Sequence, residues 1–167
     1  MRRRVCLRMR RWALGSLLSP WRATAIHKIL VVLRGRLLAE SLRVGHDLRI
    51  PGLTVTRIGR HDVSASTIPG ADDQTRSGGA AGRQPTVWTF IDFEAPDDQA
   101  DVLADALAVI LEREDGWWAD YVLNDIHYVV FADRVFRYRI GDSDAREKAV
   151  AYGIEAGTPR HQLDWGP

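Results

Sequence analysis

A chain of 167 residues has room for one ordinary domain, and 46% apolar with 27% charged residues is a globular balance. The single cysteine, Cys6, excludes an internal disulfide framework and any cysteine-based zinc cluster, and it makes the cytoplasm the default compartment. The formal charge of +1 hides a split: residues 1–39 hold ten of the 23 basic side chains and no acidic one, and all 22 acidic side chains follow.

The split predicts a basic arm over 1–39 and a single acidic domain over 40–167. Three readings of the arm stand open. The seven arginines between Arg2 and Arg22 can neutralise phosphates, and Trp12 and Trp21 can stack on bases or sit at a lipid interface. Nucleic acid or an acidic surface is therefore a candidate partner, through residues 1–23 alone. A cleaved leader uses the same residue types, but the run Trp12–Leu18 is broken by Gly15 and Ser16 and no small-residue cleavage pattern follows. The third reading is a disordered or mis-assigned extension. Lys28 and Lys148 are the only lysines, as GC-rich coding sequence favours, and such DNA read upstream of a true start yields Arg-rich sequence. Against that, no methionine after Met9 offers a later start. No transmembrane segment is expected: the run Ile29–Leu33 is far below the ~20 residues a spanning helix needs.

Thr24–Arg43 follows helical spacing through Ile26, Ile29, Leu30, Leu33, Leu37 and Leu38, predicting a helix that Gly35 weakens by about 1 kcal/mol. A short buried strand at Ile29–Leu33 is the alternative. Pro51-Gly52 opens a strand over Leu53–Gly59. Residues 62–85, rich in Ser, Gly, Ala and Asp, predict a flexible loop. Val87–Glu94 alternates as a strand, with Trp88, Phe90, Asp92 and Glu94 on one side. Pro96-Asp97-Asp98 suits the start of a helix whose apolar face is Val102, Leu103, Ala106, Leu107, Ile110 and Leu111, ended by Asp115-Gly116.

Three strands follow, at Trp117–Leu123, Ile126–Ala132 and Val135–Ile140, turning at Asn124-Asp125 and at Asp133-Arg134. A last helix begins at Ser143 or Asp144 as cap, with Glu147 placed for a capping box, and ends at Gly157 and Pro159. Trp165, in the tail, is expected to dock on the body. The fold class is α+β: an antiparallel sheet of about five strands in the order ββαβββα, two main helices packed on one face, and a basic N-terminal extension.

The histidines His27, His46, His61, His127 and His161 show no ligand spacing, and no nucleophile elbow or phosphate loop occurs. No metal and no cofactor are expected, and no catalytic residue is named. Arg137 and Arg139 share one side of a strand and can clamp a carboxylate or phosphate, with His127 on the strand before. Asp92 and Asp120 can neutralise them, and a solvated face with cross-strand ion pairs is the plainer reading. Among Trp88, Phe90, Trp117, Trp118, Tyr121 and Tyr128, some must form the core, but Trp117 and Trp118 alternate. At least one aromatic is therefore expected on the other sheet face. Trp88, Trp118 and Phe90 are the candidate interaction surface, covered by the N-terminal segment or by a partner, or lining a shallow groove.

Val87–Phe93, Gly116–Tyr121 with Val130–Tyr138, and Ala151–Gly153 with Gln162–Trp165 together resemble a group of small uncharacterised actinobacterial α+β proteins. The resemblance runs over about residues 37–165 and implies that the arm is not part of the domain. It implies no activity and no functional residue. The leading expectation is a non-enzymatic binding or protein-interaction module, a homodimer through an aromatic sheet face being one form. The competitors are a small enzyme or ligand-binding protein for an anionic small molecule, and nucleic-acid binding by the arm.

Overall fold

A computed structural model describes residues 32–67 and 84–166. Its first element is a strand, β1 (Val32–Leu38), where the sequence predicts a helix. Leu33 and Leu37 lie four apart, a spacing that suits one face of a helix and one face of a strand equally. Gly35 decides between them. It is the Cα partner of Phe93 on one side and of Tyr121 on the other, and a Cβ there would lie 2.5 Å from Phe93 Cζ. The residue that weakens a helix is thus the one that lets two aromatic rings close over a strand. Arg34 and Arg36, counted with the basic arm, are sheet residues ion-paired to Glu94 and Asp92. The folded body therefore includes part of the stretch assigned to the extension, and residues 1–31 lie outside the described residues.

Five more strands complete one antiparallel sheet: β2 (Thr54–Asp62), β3 (Val87–Pro96), β4 (Trp118–Leu123), β5 (Ile126–Phe131) and β6 (Arg134–Arg139), in the spatial order β2-β3-β1-β4-β5-β6. The class is α+β, with six strands rather than five. Strand β2 is an exposed edge, interrupted by an irregularity between Val55 and Arg57. Asp62–Thr67 and Gln84, assigned to a loop by sequence, belong to the fold. Ser64–Thr67 forms a helical turn, α1, and Gln84 is buried. The rest of that stretch, 68–83, lies outside the described residues.

Helix α2 (Ala100–Ile110) packs on one face of the sheet. It begins later than Pro96, because Pro96 still pairs with Val32 at the end of β3 and a 3-10 turn, Asp97–Gln99, intervenes. Its buried side runs through Leu103, Ala104, Leu107 and Ala108, whereas Val102 is 51% exposed. Leu103, Leu107, Ile110 and Leu111 of the predicted face are buried as expected, and the covered stripe takes in Ala104 and Ala108 in place of Val102. Two alanines let its backbone approach Phe93, Tyr121, Tyr128 and Val130.

Helix α3 (Ser143–Glu155) lies on the opposite face, against Val129, Phe131 and Tyr138. The prediction of both helices on one face is therefore corrected. Strand β5 shows why: Tyr128 and Val130 join the α2 side while Val129 and Phe131 join the α3 side, and all four are buried. A strand buried on both faces reads as an unbroken apolar run, which does not reveal a second covered face. The α3 cap is Asp142, whose carboxylate accepts from Ala145 N at 3.0 Å, one residue before the expected position. The β5–β6 turn also shifts by one. Phe131 pairs with Arg134 and the positive φ of 59° falls on Asp133, so Arg134 stays extended.

Candidate functional site

Helix α3 and the C-terminal segment cover the β4–β5–β6 end of their face, and they do not extend over the β2–β3–β1 end. Strand alternation aims Trp88 and Phe90 of β3 at that face, level with Leu38, the Cα partner of Phe90. Trp118 opens β4 on the same side and packs against Trp165 of the C-terminal segment, ring centroids 4.9 Å apart at 70°. Trp117 precedes the strand and so escapes its alternation. It is buried and meets Trp88 at 5.7 Å and 63°. Together these rings line a cavity of about 410 Å³ between the open half-sheet and the C-terminal segment.

Two features hold the walls. Gly116, at φ 63°, lies so close to Thr158 that a Cβ would fall 2.2 Å from its backbone nitrogen. Thr158 Oγ1 donates to Gly116 O at 2.6 Å. The start of β4 is thereby fastened to the segment after α3. At the rim, His161 and Gln162 both donate to Ser66 O, at 2.7 and 3.0 Å, and the amides of Gln162 and Gln84 bond reciprocally at 2.8 and 3.2 Å.

A row of alternating charge crosses the open face. Arg57, Asp92, Arg36 and Asp120 are successive Cα partners on β2, β3, β1 and β4. Arg36 grips Asp92 through Nε at 2.5 Å and Nη2 at 3.2 Å, and Arg57 Nη1 reaches the same carboxylate at 3.3 Å. The Arg36 hydrogen bond, with help from Arg57, holds the Asp92 carboxyl below the usual range against an opposing effect of burial. The same bond raises Arg36. Asp120 looks into the cavity and bonds His127 Nε2 at 2.9 Å behind it.

The structure brings Trp88, Trp118 and Phe90 together on one cavity. It does not bring Arg137, Arg139 and His127 together. In the β5–β6 register Arg137 pairs with Tyr128 and Tyr138 with His127, so the arginine and histidine lie on opposite faces. Arg137 turns to α2, 2.9 Å from Asp101 and 3.4 Å from Asp105, with its guanidinium over the Tyr128 ring. Arg139 lies 3.6 Å from Asp125. The neutralising carboxylates are thus these three, not Asp92 and Asp120. His127 is buried.

Sequence reasoning placed Trp165 on the body but missed its place in the cavity, and it missed Asp164 and His161 beside it. The proximity of Gln162–Trp165 to β3 and β4 exists only once α3 has reversed the chain. Residues 1–23, the proposed nucleic-acid contact, lie outside the described residues. Among the described residues no group of three or more His, Cys, Asp and Glu is placed to hold a metal ion. No helix among them is long and apolar enough to cross a membrane. Comparison with protein-family models, with curated proteins and with solved structures finds no match, so the resemblance noted above rests on its own residues.

Proposed function

We propose that this protein is a binding module, and that its site is the aromatic cavity between the open half-sheet and the C-terminal segment. One observation carries the reading. Rings from three separate stretches of chain, β3, the start of β4 and the C-terminal segment, converge on a single cavity of about 410 Å³. That size falls within the ~300–1,000 Å³ of small-molecule sites, which combine apolar walls with a few polar groups. Trp88, Phe90 and Trp118 supply the walls, and Arg36, Asp120 and His161 supply the polar edge.

Four of the six tryptophans line the cavity, so the test reads them directly. A panel of small aromatic and branched aliphatic compounds is added to the full chain while indole N–H resonances are followed by NMR. Selective shifts of Trp88 and Trp118 that vanish in Phe90→Ala support the reading. Absence of any shift across the panel, or shifts undiminished in that variant, would refute it.

A further inference from the structure

We propose that the cavity takes a ligand bearing an alkylated ammonium group, an assignment that rests on the cavity being the binding site. The walls favour a cation: indole is the strongest partner for a cation over a ring face, and four indoles with one phenyl line the space. The Phe90 ring already carries one, with Arg36 Cζ 5.4 Å from its centroid.

The charges at the rim agree. The lining holds two carboxylates, Asp120 and Asp164, against one arginine, Arg36. That arginine is committed twice over to Asp92. Asp120 accepts a hydrogen bond from His127 and lies beside Arg36, which is hydrogen-bonded to Asp92 instead, and Asp164 is exposed at the rim with no ion pair to another described residue. An anion entering here would meet two carboxylates and a guanidinium already neutralised.

Alkylation follows from the walls. A bare ammonium has three N–H donors to satisfy, and an indole-lined space supplies few acceptors. Alkyl groups remove those donors, spread the charge and pack against the rings, leaving Asp164 and Asp120 to act at longer range. Such a group occurs on free choline-type molecules and on methylated lysine side chains, and the chemistry is shared.

The test titrates the full chain, by tryptophan fluorescence, with choline, with its uncharged isostere 3,3-dimethylbutan-1-ol, and with the anion 3,3-dimethylbutanoate. A short peptide containing trimethyllysine forms a fourth arm. Choline or the peptide is expected to bind about ten-fold more tightly than the neutral isostere, with the anion weakest. Asp164→Asn, an exposed substitution, should narrow that ratio. Whichever cation binds more tightly identifies the source of the group. Equal binding of cation and isostere, or preference for the anion, overturns the ammonium assignment and leaves the cavity reading intact. No binding by any of these probes, together with no indole shifts from the neutral panel, overturns both.

Discussion

Asp120 Oδ2 lies 2.9 Å from His127 Nε2, and the two residues occupy opposite sides of a boundary: the histidine ring is 3% exposed while the carboxylate faces the cavity. His127 also packs on Tyr138, ring centroids 5.4 Å apart. The core beneath α3 therefore reaches the candidate site through one hydrogen bond. Asp120 is also the last member of the charge row that starts at Arg57, with Arg36 as its neighbour on β1.

A double-mutant cycle measures that bond. Asp120→Ala, His127→Ala and the double variant are compared by urea unfolding. A hydrogen bond to a charged group predicts a coupling of about 1.5–3 kcal/mol. If the two single losses simply add, the contact contributes nothing to stability.

Gly35 has no room for a side chain. Gly35→Ala places a methyl group 2.5 Å from Phe93 Cζ in the middle of the sheet, and overpacking of this kind costs about 1–3 kcal/mol. The same substitution on a Phe93→Leu background should cost less, because the obstructing ring is gone. Thermal unfolding of the four proteins checks this, and a Gly35→Ala penalty unchanged by Phe93→Leu would contradict it.

The same glycine shows what was legible in the sequence. Strands β3, β4 and β6 and helix α2 announce themselves through period and turn residues, because each has a core side and a more polar side, whereas β5, apolar on both faces, is marked only by the turns at its ends. Strand β1 does not announce itself, since Leu33 and Leu37 satisfy both periods and only tertiary neighbours choose. The aromatic surface was legible as residue types, in that Trp88, Phe90 and Trp118 share a side once strands are assigned. Its enclosure was not, because Trp165 arrives from the far end of the chain. The supposed anion clamp failed on register: one residue of strand pairing decides whether His127 faces Arg137 or turns away from it.

Acid stability should depend on Asp92. Its carboxyl is held below the usual range by Arg36 and then Arg57, so the native state binds that proton less readily than the unfolded chain does. The resulting stabilisation is complete above the unfolded carboxylate pKa, about 3.9, and is lost as pH falls through the lower native value. Urea unfolding from neutral pH into this acid range should therefore show a shallower loss of stability in Asp92→Asn than in the parent. A parallel fall in both proteins would show that Asp92 does not contribute.

Trp88 separates wall from core. Its Nε1 is buried without a hydrogen-bond partner among the described residues, so the indole is held by packing against Trp117 and Phe90 rather than by its polar atom. An unpaired buried donor costs about 1–3 kcal/mol. Trp88→Phe removes that donor and keeps a ring on the wall, so its loss of ring contact is offset and stability should stay within about 1 kcal/mol of the parent. Trp88→Ala removes the ring as well and, at this half-buried position, should lower stability by more than Trp88→Phe does. Binding of the neutral isostere should follow the same order, retained in Trp88→Phe and weakened in Trp88→Ala. A large destabilisation by Trp88→Phe would mean that the indole nitrogen has a partner after all. Unchanged isostere binding in a folded Trp88→Ala would remove Trp88 from the site.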